Sequence, residues 1–331
     1  MAKTCKICLN SDINPSIFIN KDGLCDVCCR FEENYSREKI DEEAEYLKTF
    51  IKNDGLDCMV GLSGGKDSTV TLKTVIDLGF HPLAFSFQIG YNLLDDFSLG
   101  KIKKICNSLN IKHESIDAYA YVSKNDEQCY KLIADLYDRV DNNTISKAEF
   151  RRLYAEGRKH YSTKDKIVFP FVRPCQICRK VAIKAYYEEA IKHNVRIVFL
   201  GINEWACLYR GYFSAIRRLK PYKNKPEILV VHLPFLVHRK YNDVLQILNE
   251  MKCENLVSDI NVETGGKCCL LAKACEQKAE EMLGFHLDTA RLSREITVGF
   301  IEKKKAERAL KNGRSFSKYT VRDVLKIAHI I

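Results

Sequence analysis

The chain has 331 residues, of which 46% are hydrophobic and 29% charged, so it can bury a substantial core and is not an intrinsically disordered protein. No apolar run approaches the roughly 20 residues needed to span a bilayer, and the segment Met1–Cys5 lacks the apolar core of an export signal. We therefore expect a cytoplasmic protein without a membrane partner, whose net charge of +10 permits an anionic partner but does not require one.

Two CxxC pairs lie near the start of the chain: Cys5, Cys8, Cys25 and Cys28. Each pair can present two thiolates to one metal ion, and four thiolates complete the tetrahedral coordination that zinc prefers. Cys29 follows Cys28 directly, but only Cys28 has the CxxC spacing from Cys25. The pattern predicts a structural zinc knuckle within residues 1–36, a segment too short to build a core of its own. A hairpin turn is predicted at 21–23, and a helix over 37–53.

The clearest chemical signal lies in residues 57–68. Its first half is an apolar run typical of a buried strand, and residues 69–76 have the apolar spacing of a helix packed on a sheet. Between them, Gly64 and Gly65 let backbone N–H groups converge on one point, where the helix N-terminus adds about half a positive charge. A strand, a glycine turn and a helix start together predict an anion site.

The side chains of this loop suit a phosphate. Lys66 supplies a full positive charge, and Ser63 and Ser68 supply hydroxyl groups. The loop is not a Walker A motif, which needs Ser or Thr after the lysine, because Asp67 stands there. An ordinary glycine-rich turn is the alternative. We assign ligand binding to the whole stretch: Leu62, Ser63, Gly64, Gly65, Lys66, Asp67 and Ser68.

Strand and helix signals alternate after this loop. Strands are predicted at 82–87, 112–116 and 197–201, and helices at 99–109, 126–137 and 147–161. Such alternation predicts a parallel sheet with helices on both faces, and ligands bind at the carboxyl ends of such strands. The loops after Leu62, Phe87 and Leu200 should therefore face one cleft.

Gly201, at the end of the predicted strand at 197–201, and two residues just beyond it are candidates for lining this cleft. Gly201 stands at the edge of the sheet, where it can contact the nucleotide. Glu204 can hold magnesium or orient a substrate, and Trp205, the single tryptophan, can stack on a base or sugar. An ordinary loop explains Glu204 and Trp205 equally well.

A third CxxC, formed by Cys175 and Cys178, opens a predicted helix, whose N-terminus should lower the thiol pKa. The pair can be a redox pair, half of a metal site, two ligands of an iron–sulfur cluster, or plain structural thiols. A third ligand would come from a distant cysteine, and the candidates are Cys207, Cys253, Cys268, Cys269 and Cys275. We prefer Cys269, with Cys268 nearly as good, because both follow a Gly-Gly-Lys loop. Three cysteine ligands would leave one iron open to a sulfide or a substrate atom.

Helix signals replace strand signals after Pro234. Helices are predicted from 243 to 248, from 271 to 283, from 303 to 311 and from 321 to 330. This part of the chain has no catalytic signature beyond its cysteines. We predict three units: a zinc module at 1–36, a nucleotide domain at 37–235, and a mainly helical region at 236–331 that closes over the cleft.

The string Ser-Gly-Gly-Lys-Asp-Ser at 63–68 resembles the PP-loop of the ATP pyrophosphatase superfamily. The resemblance implies an adenine nucleotide alpha hydrolase-like fold and the use of ATP and Mg2+. Enzymes of this superfamily cleave ATP between the α and β phosphates and attach AMP to a substrate oxygen. A nitrogen or sulfur nucleophile then displaces the AMP. Lys66 and Asp67 would carry catalytic roles, and Cys175 and Cys178 would join them if the chemistry involves sulfur.

Other motifs resemble the N-acetyl sugar amidotransferases, which make acetamidino sugars of the pseudaminic and legionaminic acid type for bacterial surface glycans. They are the CxxC pairs of 5–28, the Pro-Cys-x-x-Cys of 174–178, and the strings Gly-Phe at 284–285 and Ser-Arg-Glu-Ile at 293–296. The resemblance implies an N-acetyl sugar acceptor free of nucleotide or phosphate. It also implies a separate glutamine amidotransferase subunit that supplies ammonia.

The chain is also similar to the iron–sulfur tRNA thiolases, which combine a cysteine-rich zinc module, a PP-loop and a mid-chain CxxC. That resemblance implies a [4Fe-4S] cluster on Cys175, Cys178 and Cys269, with tRNA or a sulfur donor as partner. The Gly-x-Asn of 201–203 partly matches these enzymes. A third hypothesis is a non-enzymatic zinc-finger module that binds nucleic acid. It is disfavoured because every loop residue that phosphate binding needs is present.

Overall fold

The structure, a computed structural model, describes residues 2–88, 96–160, 171–220, 224–253, 262, 264, 269–312 and 317–331. Its strands are β1 (Cys58–Gly61), β2 (Pro82–Gln88), β3 (His113–Asp117), β4 (Ile197–Leu200), β5 (Cys207–Tyr209), β6 (Tyr212–Ser214), β7 (Ile216–Leu219) and β8 (Ile228–His232). Six of them form one sheet in the order β3-β2-β1-β4-β8-β7, parallel except for the edge strand β7, and β5 and β6 form a separate hairpin. The predicted parallel α/β sheet is confirmed.

Helices cover both faces of the sheet. They are α1 (Asp26–Asn34), α2 (Arg37–Lys48), α3 (Lys66–Asp77), α4 (Asp96–Ser108), α5 (Lys124–Asp141), α6 (Lys147–His160), α7 (Cys175–Lys192), α8 (Leu233–Leu236), α9 (Tyr241–Glu250), α10 (Leu270–Leu283), α11 (Thr289–Thr297), α12 (Lys303–Asn312) and α13 (Val321–Ile327). None of the helices in the described ranges is long and apolar enough to cross a membrane.

Side chains of β1 alternate between the two faces, as a strand buried on both sides requires. Val60 packs with Leu72 of α3 on one face. Met59 packs with Leu83 and with Tyr187 of α7 on the other. All of these side chains except Tyr187 are fully buried. The sheet therefore holds β1 rigidly, and the loop after it starts from a fixed point.

The C-terminal helices contribute to two different cores. α10 and α13 share a core with α5, α6 and the start of α7, in which Tyr130 and Tyr137 are fully buried. α9, α11 and α12 pack instead around Val70 of α3, through side chains such as Leu292 of α11. The second packing brings α11 next to the helix that follows the predicted phosphate loop.

The segment between β4 and α9 differs from the prediction. We predicted no strand after 197–201, but β5, β6, β7 and β8 all lie there. Three of them have three or four residues, too few for alternation of period two to be recognised. β8 is buried along its whole length and is continuous with the apolar start of α8, so its sequence shows no alternation at all.

Candidate active site and metal centre

The predicted phosphate loop joins β1 to α3. Gly64 has φ +77°, in the left-handed region that favours glycine, and Gly65 is the extended N-cap residue of α3. Within the described ranges, no group accepts a hydrogen bond from the N–H of Gly64 or Gly65. The first N–H groups of α3 also have no acceptor within the helix. These amides are therefore available to an anion.

Two serine hydroxyls brace the loop. The N–H of Ser63 donates to Ser68 Oγ at 3.1 Å, and the two hydroxyl oxygens lie 3.1 Å apart. Ser68 Oγ donates to the carbonyl oxygen of Gly65 at 3.0 Å. Because a hydroxyl has one proton and that of Ser68 goes to Gly65, the Ser63 hydroxyl is the donor to Ser68 Oγ, and Ser68 holds the turn in this arrangement.

The charged pair of the loop is nearly enclosed. The Lys66 side chain is 9% exposed, and its Nζ lies 3.4 Å from Asp67 Oδ2. The other carboxylate oxygen, Asp67 Oδ1, is buried and accepts no hydrogen bond from any described group. A buried carboxylate oxygen without a partner fits a coordination position for a hard cation such as Mg2+.

Gly201 contacts the same turn from β4. A Cβ at this position would lie 2.9 Å from the carbonyl oxygen of Asp67 and 3.0 Å from the nitrogen of Ser68, so only glycine fits. The N–H of Leu62 donates to the carbonyl oxygen of Phe85 at 2.8 Å, which ties the start of the loop to β2. The expected meeting of the loops after Leu62 and Leu200 is confirmed, whereas most of the loop after Phe87 lies outside the described residues.

α11 brings charged side chains to this edge of the sheet. Arg294 Nε donates to Glu204 Oε2, and Arg291 Nη1 donates to Glu295 Oε1 at 2.7 Å. Burial raises the pKa of Glu295 against the pull of Arg291, and the nearby carboxylates of Asp67 and Glu204 raise it further. Glu295 of α11 is therefore within electrostatic range of both Asp67 in the phosphate loop and Glu204 after β4.

Sequence reasoning missed this role of α11. It identified the string at 293–296 only through a family resemblance and did not predict the helix around it. α11 is nine residues long and mostly polar, with Leu292 and Ile296 one turn apart. That short apolar spacing, next to an Arg-Glu pair, is the signal that could have found it.

Trp205 contacts protein side chains in the structure. Its ring stacks on Phe31 of α1 with centroids 5.4 Å apart, and it packs on Phe213 of β6 at 4.4 Å. The carbonyl oxygen of Glu204 lies 2.8 Å from His232 Nδ1 of β8. The loop after β4 is therefore held by contacts with α1, β6 and β8, and the partly buried ring proposed to stack on a base or sugar packs on Phe31 and Phe213.

The four N-terminal cysteines form one compact group, and they are the only set of three or more potential ligands found in the described part of the chain: Cys5, Cys8, Cys25 and Cys28. All are buried, with sulfur distances of 3.8 Å for Cys5–Cys28 and 3.5 Å for Cys8–Cys25. Tetrahedral zinc with Zn–S bonds of about 2.3 Å would separate its sulfurs by about 3.8 Å. The group therefore fits a four-thiolate metal site, and Cys29 is not part of it.

N–H donors form hydrogen bonds with two of these sulfurs, those of Cys25 and Cys5. Asn10 Nδ2 donates to Cys25 Sγ at 3.4 Å, as does the N–H of Cys28 at 3.4 Å. The N–H of Cys25 donates to Cys5 Sγ at 3.3 Å. Side-chain hydrogen bonds from Cys28 and Cys8 hold the pKa of Cys25 well below its usual range. Donors of this kind orient and stabilise thiolate ligands.

The second cysteine site is more open. Cys175 begins α7, and Cys178 Sγ lies 3.1 Å from Tyr130 Oη. Burial, followed by the charges of Cys175 and Cys269, raises the pKa of Cys178. We expected the helix N-terminus to lower the thiol pKa of this pair, and for Cys178 that is wrong because burial outweighs the helix dipole.

The candidates for a third ligand separate clearly. Cys269 is the residue before α10, and Cys275 lies inside that helix; both interact electrostatically with the thiols of α7. Cys207 bonds to the carbonyl oxygen of Ile216, and Cys253 to that of Met251. Cys268 and its Gly-Gly-Lys loop lie outside the described residues. The sulfurs of Cys175, Cys178 and Cys269 do not form a group as tight as the N-terminal one.

No protein-family model matches this chain, and no curated protein matches it. Similar solved structures exist. An NMN synthetase from Francisella tularensis is 15% identical, with a TM-score of 0.35, over 86% of this chain and 99% of the other. The U34-tRNA thiolase NcsA from Methanococcus maripaludis, solved with its [4Fe-4S] cluster, is 13% identical, with a TM-score of 0.36, over 98% of this chain and 96% of the other.

The NH3-dependent NAD synthetase from Campylobacter jejuni subsp. jejuni NCTC 11168, in complex with the nitrate ion, is 14% identical, with a TM-score of 0.31, over 84% of this chain and 93% of the other.

Proposed function

We propose that this protein is an ATP-using, AMP-forming enzyme that attaches AMP to a substrate oxygen and then replaces it with nitrogen. One observation carries the proposal. The loop between β1 and α3 presents the unpartnered N–H groups of Gly64 and Gly65 beside the nearly enclosed ammonium group of Lys66. Such a cluster of fixed positive charge suits the triphosphate of a nucleotide.

Different residues at the loop have different roles in the first step. A substrate oxygen attacks the α-phosphorus, and the bond between that phosphorus and the bridging oxygen of the β-phosphate breaks. The departing pyrophosphate gains negative charge, which Lys66 and the amides of Gly64 and Gly65 stabilise. Asp67 and Glu204 are the residues that would hold Mg2+, which when bound neutralises phosphate charge.

In the second step ammonia attacks the carbon that carries AMP, and the carbon–oxygen bond breaks. We propose an N-acetyl sugar as acceptor and a separate glutamine amidotransferase as ammonia source. The position of α11 supports this choice. Its string at 293–296 is one of the motifs that resemble the sugar amidotransferases, and Arg294 and Glu204 form an ion pair beside the loop.

The test is the product pattern. Purified protein is given Mg2+, ATP, an ammonium salt and a panel of N-acetyl sugars, and AMP, pyrophosphate and ADP are measured. We expect equal amounts of AMP and pyrophosphate, no ADP, and a sugar product slightly lighter than the acceptor, because an NH group has replaced an oxygen atom. ADP with inorganic phosphate as the only products would contradict the proposal.

A matched pair of variants tests the loop. Lys66→Ala should lower kcat/KM about 100-fold, because it removes fixed charge from the transition state. Lys73→Ala changes the same residue type on the same helix, where Lys73 pairs with Asp77 at the surface, and should leave the rate unchanged. Equal rates in both variants would exclude the assigned role of Lys66.

Sulfur transfer is a second candidate, supported by the group of thiols around α7. Cys178 and Cys275 each interact electrostatically with Cys175 and with Cys269, and Tyr130 contacts Cys178. The ligands of a cluster lie farther apart than those of a single metal ion, so their looser spacing does not argue against a [4Fe-4S] cluster. Purification without oxygen distinguishes the two reactions. A brown protein with about four irons per chain that thiolates tRNA would favour sulfur transfer. A colourless protein would favour transfer of nitrogen.

A further inference from the structure

The four-cysteine group and the phosphate loop are connected through α11. Cys28 Sγ lies 3.3 Å from Thr297 Oγ1 of this helix. One turn earlier on the same helix, Arg294 donates to the carboxylate of Glu204. Glu204 follows β4 after Gly201, which packs directly on the backbone of Asp67. A single short helix therefore joins a cysteine ligand to the carboxylate beside the phosphate loop.

A second connection reaches the segment of Glu204 through α1. α1 follows Cys25 directly and contains Cys28. Phe31, one turn further along α1, stacks on Trp205 at a centroid distance of 5.4 Å. Trp205 is adjacent to Glu204 in the chain. Two independent contacts, one polar and one aromatic, thus run from the cysteine group to Glu204.

The cysteine module depends on these contacts and on its own ligands, since its hydrophobic cluster contains little besides the cysteines and two isoleucines, Ile17 and Ile19. Lys303 Nζ of α12 donates to the carbonyl oxygen of Cys5 at 2.9 Å and fixes the first ligand pair to the C-terminal helices. A segment with so small a core keeps its shape through the metal. Loss of the metal should therefore release α1 and the Thr297 contact together.

We propose that the metal centre on the four cysteines positions Glu204 at the phosphate loop, with Thr297 and Phe31 as the positioning residues. The inference rests on the proposed function for the role of Glu204. It adds to that function that nucleotide and Mg2+ binding depend on a metal bound at Cys5, Cys8, Cys25 and Cys28. The metal acts through Glu204 and takes no part in the bond changes.

Trp205 makes the connection measurable without catalysis, because it is the single tryptophan of the chain and lies between Phe31 and Glu204. Metal is removed from the full-length protein with a chelator and restored with Zn2+, and tryptophan emission is recorded throughout. We expect removal to shift the emission to longer wavelength as Phe31 leaves the indole, and Zn2+ to restore it. The Mg2+ concentration needed for half-maximal ATP binding should rise about tenfold in the stripped protein.

The variant Thr297→Val keeps the shape of the side chain but removes the hydroxyl that contacts Cys28. We expect zinc to be lost to a chelator about tenfold faster than from the wild type, together with weaker Mg2+-dependent ATP binding. Thr49→Val is the matched control. The hydroxyl of Thr297 donates to the carbonyl oxygen of Ser293 in its own helix at 2.8 Å, and the hydroxyl of Thr49 donates in the same way to that of Tyr46, but Thr49 lies at the exposed end of α2.

Phe31→Leu tests the aromatic connection by itself. It should change tryptophan emission and the Mg2+ requirement, while zinc loss stays closer to the wild-type rate than in Thr297→Val. Combining Phe31→Leu with Thr297→Val should raise the Mg2+ requirement above that of either single variant, because the two contacts act on one residue.

Two results would overturn the inference. One is a stripped protein with unchanged tryptophan emission and unchanged Mg2+ requirement. The other is a Thr297→Val protein that matches Thr49→Val in both zinc loss and ATP binding. Failure of the proposed function has a different signature: the wild type forms no AMP with any acceptor, while Zn2+ still controls tryptophan emission. Unfolding of Thr297→Val would shift the test to Phe31→Leu, whose outcome decides in the same way.

Discussion

The two cysteine groups of this protein differ in how the chain builds them. The first is made within residues 5–28, from two CxxC turns and the hairpin between them. The second joins Cys175 and Cys178 at the start of α7 to Cys269 and Cys275 at α10. Only the packing of α5, α7 and α10 in one core brings these segments together. The first group is a local structure, and the second is a product of the tertiary fold.

The electrostatic surroundings of the two cysteine groups also differ. N–H donors from Asn10 and the backbone point at the sulfurs of the first group and favour thiolates. The second group is surrounded by apolar side chains and tyrosine hydroxyls, and burial raises the pKa of both Cys178 and Cys275. In the first group the pKa of Cys25 is lowered while neighbouring thiols and burial raise those of Cys8 and Cys28, so a full set of thiolates in either group needs compensating charge from a bound metal or cluster.

The largest expected effect is the loss of a ligand from the first group. Cys25→Ser should abolish tight metal binding, because Cys25 lies at the centre of its sulfur contacts. Since structural zinc sites contribute on the order of 10 kcal/mol to the folding of small modules, residues 1–36 should unfold. Metal content and proteolysis of the N-terminus measure the result.

Cys29→Ser is the control for that change. Cys29 is adjacent to a ligand but stands outside the group, and its sulfur accepts a hydrogen bond from Asn20 Nδ2 at 3.5 Å. We expect full metal content and an intact N-terminus. Equal metal loss from Cys25→Ser and Cys29→Ser would contradict the assignment of Cys25 as a metal ligand and Cys29 as a non-ligand.

A pH titration tests the loop after β4, which contains Glu204. His232 donates from Nδ1 to the Glu204 carbonyl oxygen, and burial lowers its pKa to about 4 despite this bond. The unfolded chain, with a histidine pKa near 6.5, then binds a proton that the folded protein does not. Stability should fall by about 3 kcal/mol as pH drops from about 6.5 to about 4, and remain constant above that range.

The variant His232→Asn isolates this contribution. Asparagine can donate from the position of Nδ1 but does not titrate. Loss of metal at low pH affects the wild type and the variant alike, so the difference between their pH profiles reports on His232. Denaturant unfolding at several pH values gives both profiles, and parallel profiles would show that this histidine titrates normally.

Much of the nucleotide side could be predicted from sequence because its signals are local. The glycine pair at Gly64 and Gly65, the strand before it and the helix after it all lie where predicted. The helix that ends at Gly284 was also predicted correctly, because glycine there adopts φ +79°, the left-handed end that such a residue favours. These features depend on a few neighbouring residues and on no distant partner.

The parts that sequence did not predict depend on distant partners. The surroundings of Glu204 come from Arg294, which is 90 positions further along the chain. The pKa of Cys178 depends on burial by α5 and α10, so reasoning from its helix position alone gave the wrong direction. Trp205 was considered a ligand-binding side chain, yet its ring packs on α1 and β6.

An ion pair holds the second cysteine group in place, and a substitution can weaken it. Asp126 of α5 is fully buried and accepts from Lys184 at 2.7 Å and Lys180 at 2.9 Å, both on α7. Although burial opposes it, contacts with Lys184, Ser123 and Lys180 hold the Asp126 pKa well below its usual range. Asp126→Asn should lower the free energy of unfolding by about 2 kcal/mol, less than for fully buried pairs because the lysines reach water.

Asp135→Asn makes the same change on α5 at an exposed ion pair with Arg322, and should cost about 0.5 kcal/mol. Denaturant unfolding compares the two, and zinc content should stay complete in both. Loss of zinc from Asp126→Asn would mean that the two cysteine groups are not independent structures.

The smallest effect separates the two cysteines of α10. Cys275→Ala removes a fully buried sulfur and should lower stability by about 1 kcal/mol, as should Cys106→Ala, which removes a buried thiol from the core of the sheet. If the second group holds a cluster through Cys269, visible absorbance of the protein purified without oxygen should survive Cys275→Ala and vanish in Cys269→Ala. The reverse result would make Cys275 the third ligand. It would place that ligand inside α10, which the packed core fixes before any metal binds, in contrast to the first group, whose ligands are ordered by the metal itself.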